Sequence, residues 1–417
     1  MLAFPLEVTC KWHAYWRIHL PFPSVLINDH CSYSRITAQE EEDLLFALQH
    51  RDRLRVIRLE MQTPDLKRLI VAMSGEFPML ECLMIVPPIS STFPTTSFIL
   101  PATFHAPRLR RLKLSNSASP IVPPSLTSLT GLVKLSLVWD HPPTYPCPGT
   151  LLQRLSSVPS LEMLQISFYS SVYNEEVERQ LPHALTMTHV IFPNLRRFTF
   201  DGDRDYLEAF LTWIITPLLE KLHIAFFYQH NDHTFPVPHL VKFLGTIESL
   251  GFANVKLKIC PWYILVQVYH RRSVGGDFSL LHYDSGTFSQ KMSTAGGIVN
   301  SLGTLFSTVE HLTLQRETAS VSMGIGMEHS LTQWCKLLWP FGNVKTLLVD
   351  DGWTGEMSRF LPFGPRGPPM ELLPELEELV YCTHQDIVVK AFTKFTKACR
   401  KAGRPVTLVR HQTSCGW

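Results

Sequence analysis

A short phrase recurs along this chain of 417 residues and constrains its fold more than any other feature. It reads Pro-x-Leu-x-x-Leu-x-aliphatic, and its clear copies are Pro78–Ile85, Pro107–Leu114, Pro159–Ile166, Pro193–Phe200, Pro217–Ile224 and Pro374–Tyr381. Taking the first large apolar residue of each phrase as an anchor, the strong series is Leu54, Leu80, Leu109, Leu132, Leu161, Leu195, Leu219, Val309, Val344 and Leu376. Weaker copies fit at Phe22 (with Val25 and Ile27), Ile247 (with Leu250 and Phe252) and Phe278 (with Leu281 and Tyr283). From Phe22 to Leu376 the average step is about 29 residues. A unit of that length, repeated with a conserved apolar skeleton, cannot bury its apolar face alone and needs its neighbours to do so.

The local physics of one unit is legible. The fourth and sixth positions of the phrase alternate with polar ones too tightly for a helix, so both side chains lie on one face of a short strand. Strands from successive units then line up in parallel. The proline two residues before the anchor cannot continue a helix and biases its predecessor to extended geometry, marking where a return segment ends. Amphipathic stretches between the strands read as helices: Asp65–Ser74, Leu151–Ser157, Tyr206–Thr216, His239–Ser249 and Ser330–Trp339. In the first of these Leu66, Leu69, Ile70 and Met73 keep the spacing of a one-sided helix. The fold class expected is α/β: a leucine-rich-repeat solenoid, or horseshoe, with a parallel concave sheet and a helical or irregular convex side.

About 13 irregular units are expected to fill residues 21–410. They close with a capping helix over 387–403, in which Val388, Phe392, Phe395 and Cys399 share one face and Lys390, Lys394, Lys397 and Lys401 the other. Val406 and Leu408 belong to a last edge strand. Pro87–Pro101, Asp140–Pro148 and Phe360–Pro369 are rich in proline and small polar residues and read as loops.

Composition bounds the function. Hydrophobic residues make up 45% and charged ones 18%, and 38 Lys and Arg against 36 Asp and Glu leave a net charge of +2. That balance gives no global attraction to nucleic acid or membrane, so neither is an expected partner. The nine cysteines are scattered, odd in number and without a C-x-x-C pair. With no signal-peptide layout at Met1–Trp16, they predict reduced thiols in a cytoplasmic or nuclear protein.

The phrase and its variable unit length resemble the leucine-rich-repeat F-box proteins, particularly the irregular fungal type. In that family a small helical module at the N-terminus docks on the Skp adaptor of cullin-based (SCF-type) ubiquitin ligases. Its end often reads Val-Cys-Lys-x-Trp, and here Val8, Cys10, Lys11 and Trp12, followed by Trp16 and Ile18, look like that tail. The family's upstream Leu-Pro-x-Glu helix start does not precede them, so residues 1–20 read either as the remnant of an F-box tail or as an apolar cap on the first repeat. Docking of the adaptor is expected only if a fuller F-box exists. The asparagine common after the strand in cell-surface repeat proteins is replaced by Gln62, Ser117, Asp140, Tyr169, Asp203 and Phe227. The resemblance implies a substrate receptor that does no chemistry; the alternative is a stand-alone scaffold, and an enzyme ranks third.

No motif asks for a cofactor or metal. Asp201–Asp205 opens like a calcium loop, but Tyr206 stands where glycine is needed and Thr212 where a bidentate glutamate is needed. A polar turn fits better. His230, His233 and His239 cluster without a fourth ligand at suitable spacing, and Gly324–Gly326 is a lone glycine pair. The third and fifth positions of the phrase are less bland, because they point away from the core. From Leu109 to Ile224 they carry Arg111, Lys113, Lys134, Arg197 and Lys221, with His223, and no acid. Acids in the same units, Glu162, Glu220, Asp140, Asp201 and Asp203, would make this a neutralised solvated face. Left free, the cations form a basic strip that receives an acidic or phosphorylated segment of a protein partner.

Overall fold

The computed structural model describes residues 7–9, 24–29, 36–86, 100–115, 129–139, 146–168, 189–227, 235–247, 250–269, 278–317, 331–361, 372–382 and 386–411. The chain divides into two compact units, Met1–Leu219 and Glu220–Trp417. Of the expected features, Cys10, Lys11, Trp12, Phe22, His230, His233, Gly324–Gly326 and most of the three proline-rich loops lie outside the described residues.

In the first unit the strands are β1 (Glu7–Thr9), β2 (Ser24–Asp29), β3 (Leu54–Glu60), β4 (Cys82–Ile85), β5 (Arg111–Ser115), β6 (Lys134–Trp139), β7 (Met163–Phe168), β8 (Val190–Ile191), β9 (Arg197–Gly202) and β10 (Ile214–Ile215). Strands β1 to β7 and then β9 pair in sequence order, every pair parallel. The register follows the phrase: Leu83, Leu112, Leu135, Leu164 and Phe198 stand opposite one another across five strands. All five are buried, as are the seven strong anchors of this unit.

The recurrent proline has a specific place. In Phe77-Pro78-Met79-Leu80 the anchor N–H of Leu80 donates to the Phe77 carbonyl at 3.2 Å, closing a four-residue turn with proline second. The same bond closes Ala106–Leu109 (3.0 Å), Phe192–Leu195 (3.3 Å), Thr216–Leu219 (3.3 Å) and, in the second unit, Leu373–Leu376 (3.2 Å). Proline's fixed φ suits that second turn position. Strands β5, β6, β7 and β9 are then launched in the same way, with two successive N–H groups donating to one carbonyl just before or at the start of the preceding strand. Arg110 and Arg111 share Glu81, Val133 and Lys134 share Arg110, and Arg196 and Arg197 share Glu162.

Helices 63–72, 148–155 and 204–211 realise three of the expected ones, and Ala38–Gln49 is an addition, opened by a Thr37/Glu40 capping box. The helix expected to run from Tyr206 to Thr216 stops at Leu211. Ile214 and Ile215, β-branched and just before Pro217, form β10 and pair with β8 instead. The Asp201–Asp205 stretch is a turn whose Asp203 caps the helix Arg204–Leu211, its Oδ1 accepting from the N–H groups of Asp205 (2.8 Å) and Tyr206 (3.2 Å). The first copy of the phrase is out by one residue: Leu26, not Val25, pairs with Ile57 and is buried, after an irregularity between Ser24 and Val25.

In the second unit the strands are β11 (Lys221–Phe226), β12 (Asn254–Ile259), β13 (Tyr263–Tyr269), β14 (Phe278–Tyr283), β15 (His311–Arg316), β16 (Thr346–Val349), β17 (Glu378–Tyr381) and β18 (Thr407–Arg410). Their order is β11-β14-β13-β12-β15-β16-β17-β18. An all-parallel sheet is therefore corrected here, because β13 runs antiparallel to both β12 and β14. The cause is local: only Cys260, Pro261 and Trp262 join β12 to β13, and so short a link permits a hairpin but no crossover. The two weakest copies of the phrase in this unit are out of register. Val255 and Phe278 take the fourth position, opposite Leu312 and Leu222, where Leu250 and Leu281 were expected. The closing helix Asp386–Lys401 buries Val388, Phe392, Phe395 and Cys399 as its periodicity predicts. Both units are thus mixed α/β, with a mostly parallel sheet whose even positions form the core.

Candidate functional site

On the outward face of the first unit the odd positions of the phrase form two rows. The third positions of β4 to β9 run Cys82, Arg111, Lys134, Met163, Arg197, each directly opposite the next. The fifth positions of β3 to β9 run Arg58, Met84, Lys113, Ser136, Gln165, Thr199. Adjacent strands stand about 4.8 Å apart, so Arg111 and Lys134 are neighbours and Arg197 follows two strands on. Together the rows line one shallow groove of about 220 Å³.

The balance of charge in the groove decides its character. Arg111, Lys134 and Arg197 are exposed and Lys113 is half-buried. Among the described residues none of the four has a carboxylate within 4.0 Å. The acids that could have neutralised them are otherwise placed. Asp201 accepts from the Ser167 hydroxyl at 2.7 Å, Asp203 caps its helix, and Glu162, just before β7, has no ion pair among the described residues. Asp140 lies outside the described residues and Glu220 belongs to the second unit. A polar chain runs alongside: Ser136 Oγ donates to Gln165 Oε1 (3.1 Å), Gln165 Nε2 to Ser167 Oγ (3.3 Å), and Ser167 to Asp201. It holds the amide of Gln165 in place between the two sets of cations.

Arg58 and Met84 were missed by the sequence reading, which began the strip at Leu109. The signal was present, since they are the fifth positions after anchors Leu54 and Leu80. Arg58 adds a fifth cation, and its Nε is buried without a hydrogen-bond partner. A buried donor left unpaired costs free energy. Cys82, Met84 and Met163 give the floor between the cations an apolar, polarisable character.

The other two members of the expected strip lie in the second unit. Lys221 is half-buried; His223 is exposed and its Nδ1 lies 2.5 Å from Ser279 Oγ. Further along that unit's outward face, Lys258 Nζ pairs with Glu317 at 2.8 Å, and the Cys260 thiol donates to the same carboxylate at 3.1 Å. Burial pushes that thiol up to about 11, away from reactive thiolate. Burial also lowers the ammonium of Lys256. Asp350 accepts the Arg316 N–H at 2.7 Å, yet burial of its carboxyl prevails and raises it to about 6.

At the N-terminus, Val8 lies in β1 and pairs with Leu26 of β2. Among the described residues there is no group of three or more His, Cys, Asp or Glu able to hold a metal, and no helix long and apolar enough to cross a membrane. The described cysteines are all free thiols.

No protein-family model matches the chain, and no curated protein matches it. Among solved structures it is similar to the leucine-rich repeat-containing protein LegL7 from Legionella pneumophila, with 12% identity over 70% of this chain and 82% of that one and a TM-score of 0.29.

Proposed function

We propose that the chain is a leucine-rich-repeat solenoid that works as a protein-interaction receptor, and that the groove of the first unit receives an acidic or phosphorylated segment of its partner. The observation that carries this reading is the set Arg58, Arg111, Lys113, Lys134 and Arg197. They stand in register on one sheet face, with no carboxylate paired to the four outermost among the described residues. Guanidinium groups at Arg111 and Arg197 suit forked bonds to carboxylate or phosphate, and the lysines add point charge. No chemistry is needed of such a site; it holds a target.

The finer reading, taken from the resemblance, makes the chain the substrate-recognition part of an SCF-type ligase or a derivative of one. The stand-alone scaffold is supported by Val8 lying on a strand that extends the sheet rather than in a helical module. Co-precipitation with purified Skp adaptor separates the two: a stable complex supports the ligase reading, and its absence leaves the scaffold.

The groove itself is tested by fluorescence anisotropy on the full chain, with a labelled peptide rich in Asp and Glu around a phosphoserine. Saturable binding that weakens steeply with salt is expected. Equal binding of a peptide with the acids replaced by Gln and Ser would overturn the proposal.

A further inference from the structure

The closing helix Asp386–Lys401 carries a second charged surface, distinct in place and shape from the groove. Its buried side is Val388, Phe392, Phe395 and Cys399, with the Phe392 ring 5.5 Å from that of Tyr381. Opposite, Lys390, Lys394, Lys397 and Lys401 are all exposed, and Arg400 flanks them. The steps of four, three and four residues correspond to a rise of about 6, 4.5 and 6 Å, and keep the four lysines within about 60° of one line along the helix. Val389, Thr393 and Ala398 lie between and beside them, and the whole strip lines one shallow concavity. None of the five cations has an ion pair or hydrogen bond among the described residues. From Ile387 to Lys401 the helix has no Asp or Glu.

Like charges repeated at three- and four-residue spacing repel one another and weaken a helix. A face that only needed to be soluble would alternate the two signs, as the chain's balanced totals allow. We infer that this strip is a docking surface for an acidic helix of a partner protein, with carboxylates at the same four-three-four spacing. Charge complementarity and geometry select that occupant. A second helix laid alongside meets each ammonium with one carboxylate, and the small flanking side chains permit the usual interaxial approach of about 8–10 Å. A membrane surface fits less well. The helix's apolar face is committed to the core, so nothing on the exposed face can insert between lipids. Nucleic acid fits less well because the line of four consists of lysines alone, without the guanidinium forks that grip phosphates.

The test uses the full chain and a labelled helical peptide with glutamates at that spacing, measured by anisotropy. Salt-sensitive binding is expected. The combined Lys390→Glu, Lys394→Glu, Lys397→Glu and Lys401→Glu variant should weaken it by about tenfold or more, the sum of several exposed pairs. A peptide with lysines in place of the glutamates should then bind the reversed variant. Lys→Gln at the same positions, which leaves the helix intact without charge, should also lose binding. Equal binding of a peptide with scrambled glutamate spacing would overturn the inference, as would tighter binding of phosphatidylserine vesicles or duplex DNA, or no effect of reversal. These variants leave the groove untouched, so the two surfaces succeed or fail separately.

Discussion

Replacing Leu112 by Ala tests the register on which both the fold and the groove depend. Leu112 sits in the middle of the first unit's sheet, 3% exposed, with Leu83 and Leu135 directly opposite on β4 and β6. Truncation removes three carbons from a closed layer. At about 0.8 kcal/mol per buried methylene the transfer loss is about 2.4 kcal/mol. The cavity left in a sheet pinned on both sides brings the cost to about 3–4 kcal/mol. Native-state hydrogen exchange of peptides from β5 and β6 reads this locally. A cost of about 3 kcal/mol accelerates exchange through the opening of the unit by roughly a hundredfold. The control is the adjacent Arg111→Ala, which removes an exposed outward side chain and should shift the same exchange by less than about threefold. A surface-like effect at Leu112, or a core-like one at Arg111, would refute the register, because a slip of one residue exchanges the two faces.

Other consequences follow from single residues. A Cβ at Gly202 would stand 2.7 Å from Phe168 Cδ2 and 3.0 Å from Phe200 Cζ, so Gly202→Ala should destabilise the first unit by about 1–3 kcal/mol in urea unfolding; a neutral result would mean the aromatic layer is loose. Asp350 binds its proton more tightly folded than unfolded, from its ordinary 3.8 up to about 6. Its contribution to stability is therefore most favourable below pH 4 and is lost as pH rises through about 6. Asp350→Asn should flatten that slope in unfolding curves taken between pH 4 and 7, and an unchanged slope would exclude Asp350 as its source. Cys260, held as thiol by burial, should react with iodoacetamide far more slowly at pH 8 than a free cysteine; rapid labelling at Cys260 itself, located by peptide mapping of the folded chain, would contradict its placement.

The phrase made the strands legible because each copy carries its own evidence: a turn proline, a buried anchor and two inward side chains. Where a copy was rich in leucine the register was right, as at Leu109, Leu132 and Leu161. Where it was poor, at Phe22, Ile247 and Phe278, apolar residues at odd and even positions alike let several registers fit, and only strand pairing chose among them. The hairpin through Cys260–Trp262 was hidden because Tyr263–Tyr269 alternates like any strand and says nothing of direction. The helix Phe288–Ser301 escaped for want of strong one-sided periodicity, its glycines and small polar residues diluting the pattern. At the site, Arg111, Lys113, Lys134 and Arg197 were readable from strand alternation alone. Arg58 was missed because the strip was begun two repeats too late, at Leu109 rather than Leu54, and the partnerless state of its buried Nε needed coordinates. The division into two units, which separates Lys221 and His223 from the other four, had no signal in the repeated phrase.

The most direct measurement of the central claim is the affinity of the acidic phosphoserine peptide for the wild-type chain and for the Arg111→Glu, Lys113→Glu, Lys134→Glu and Arg197→Glu combination, at low and high salt. All four side chains point outward, three exposed and Lys113 half-buried, so the variant should keep its hydrogen-exchange protection while losing the peptide at both salt concentrations. The wild type should bind tightly at low salt and release at high salt. Equal, salt-insensitive binding by both proteins would contradict the account.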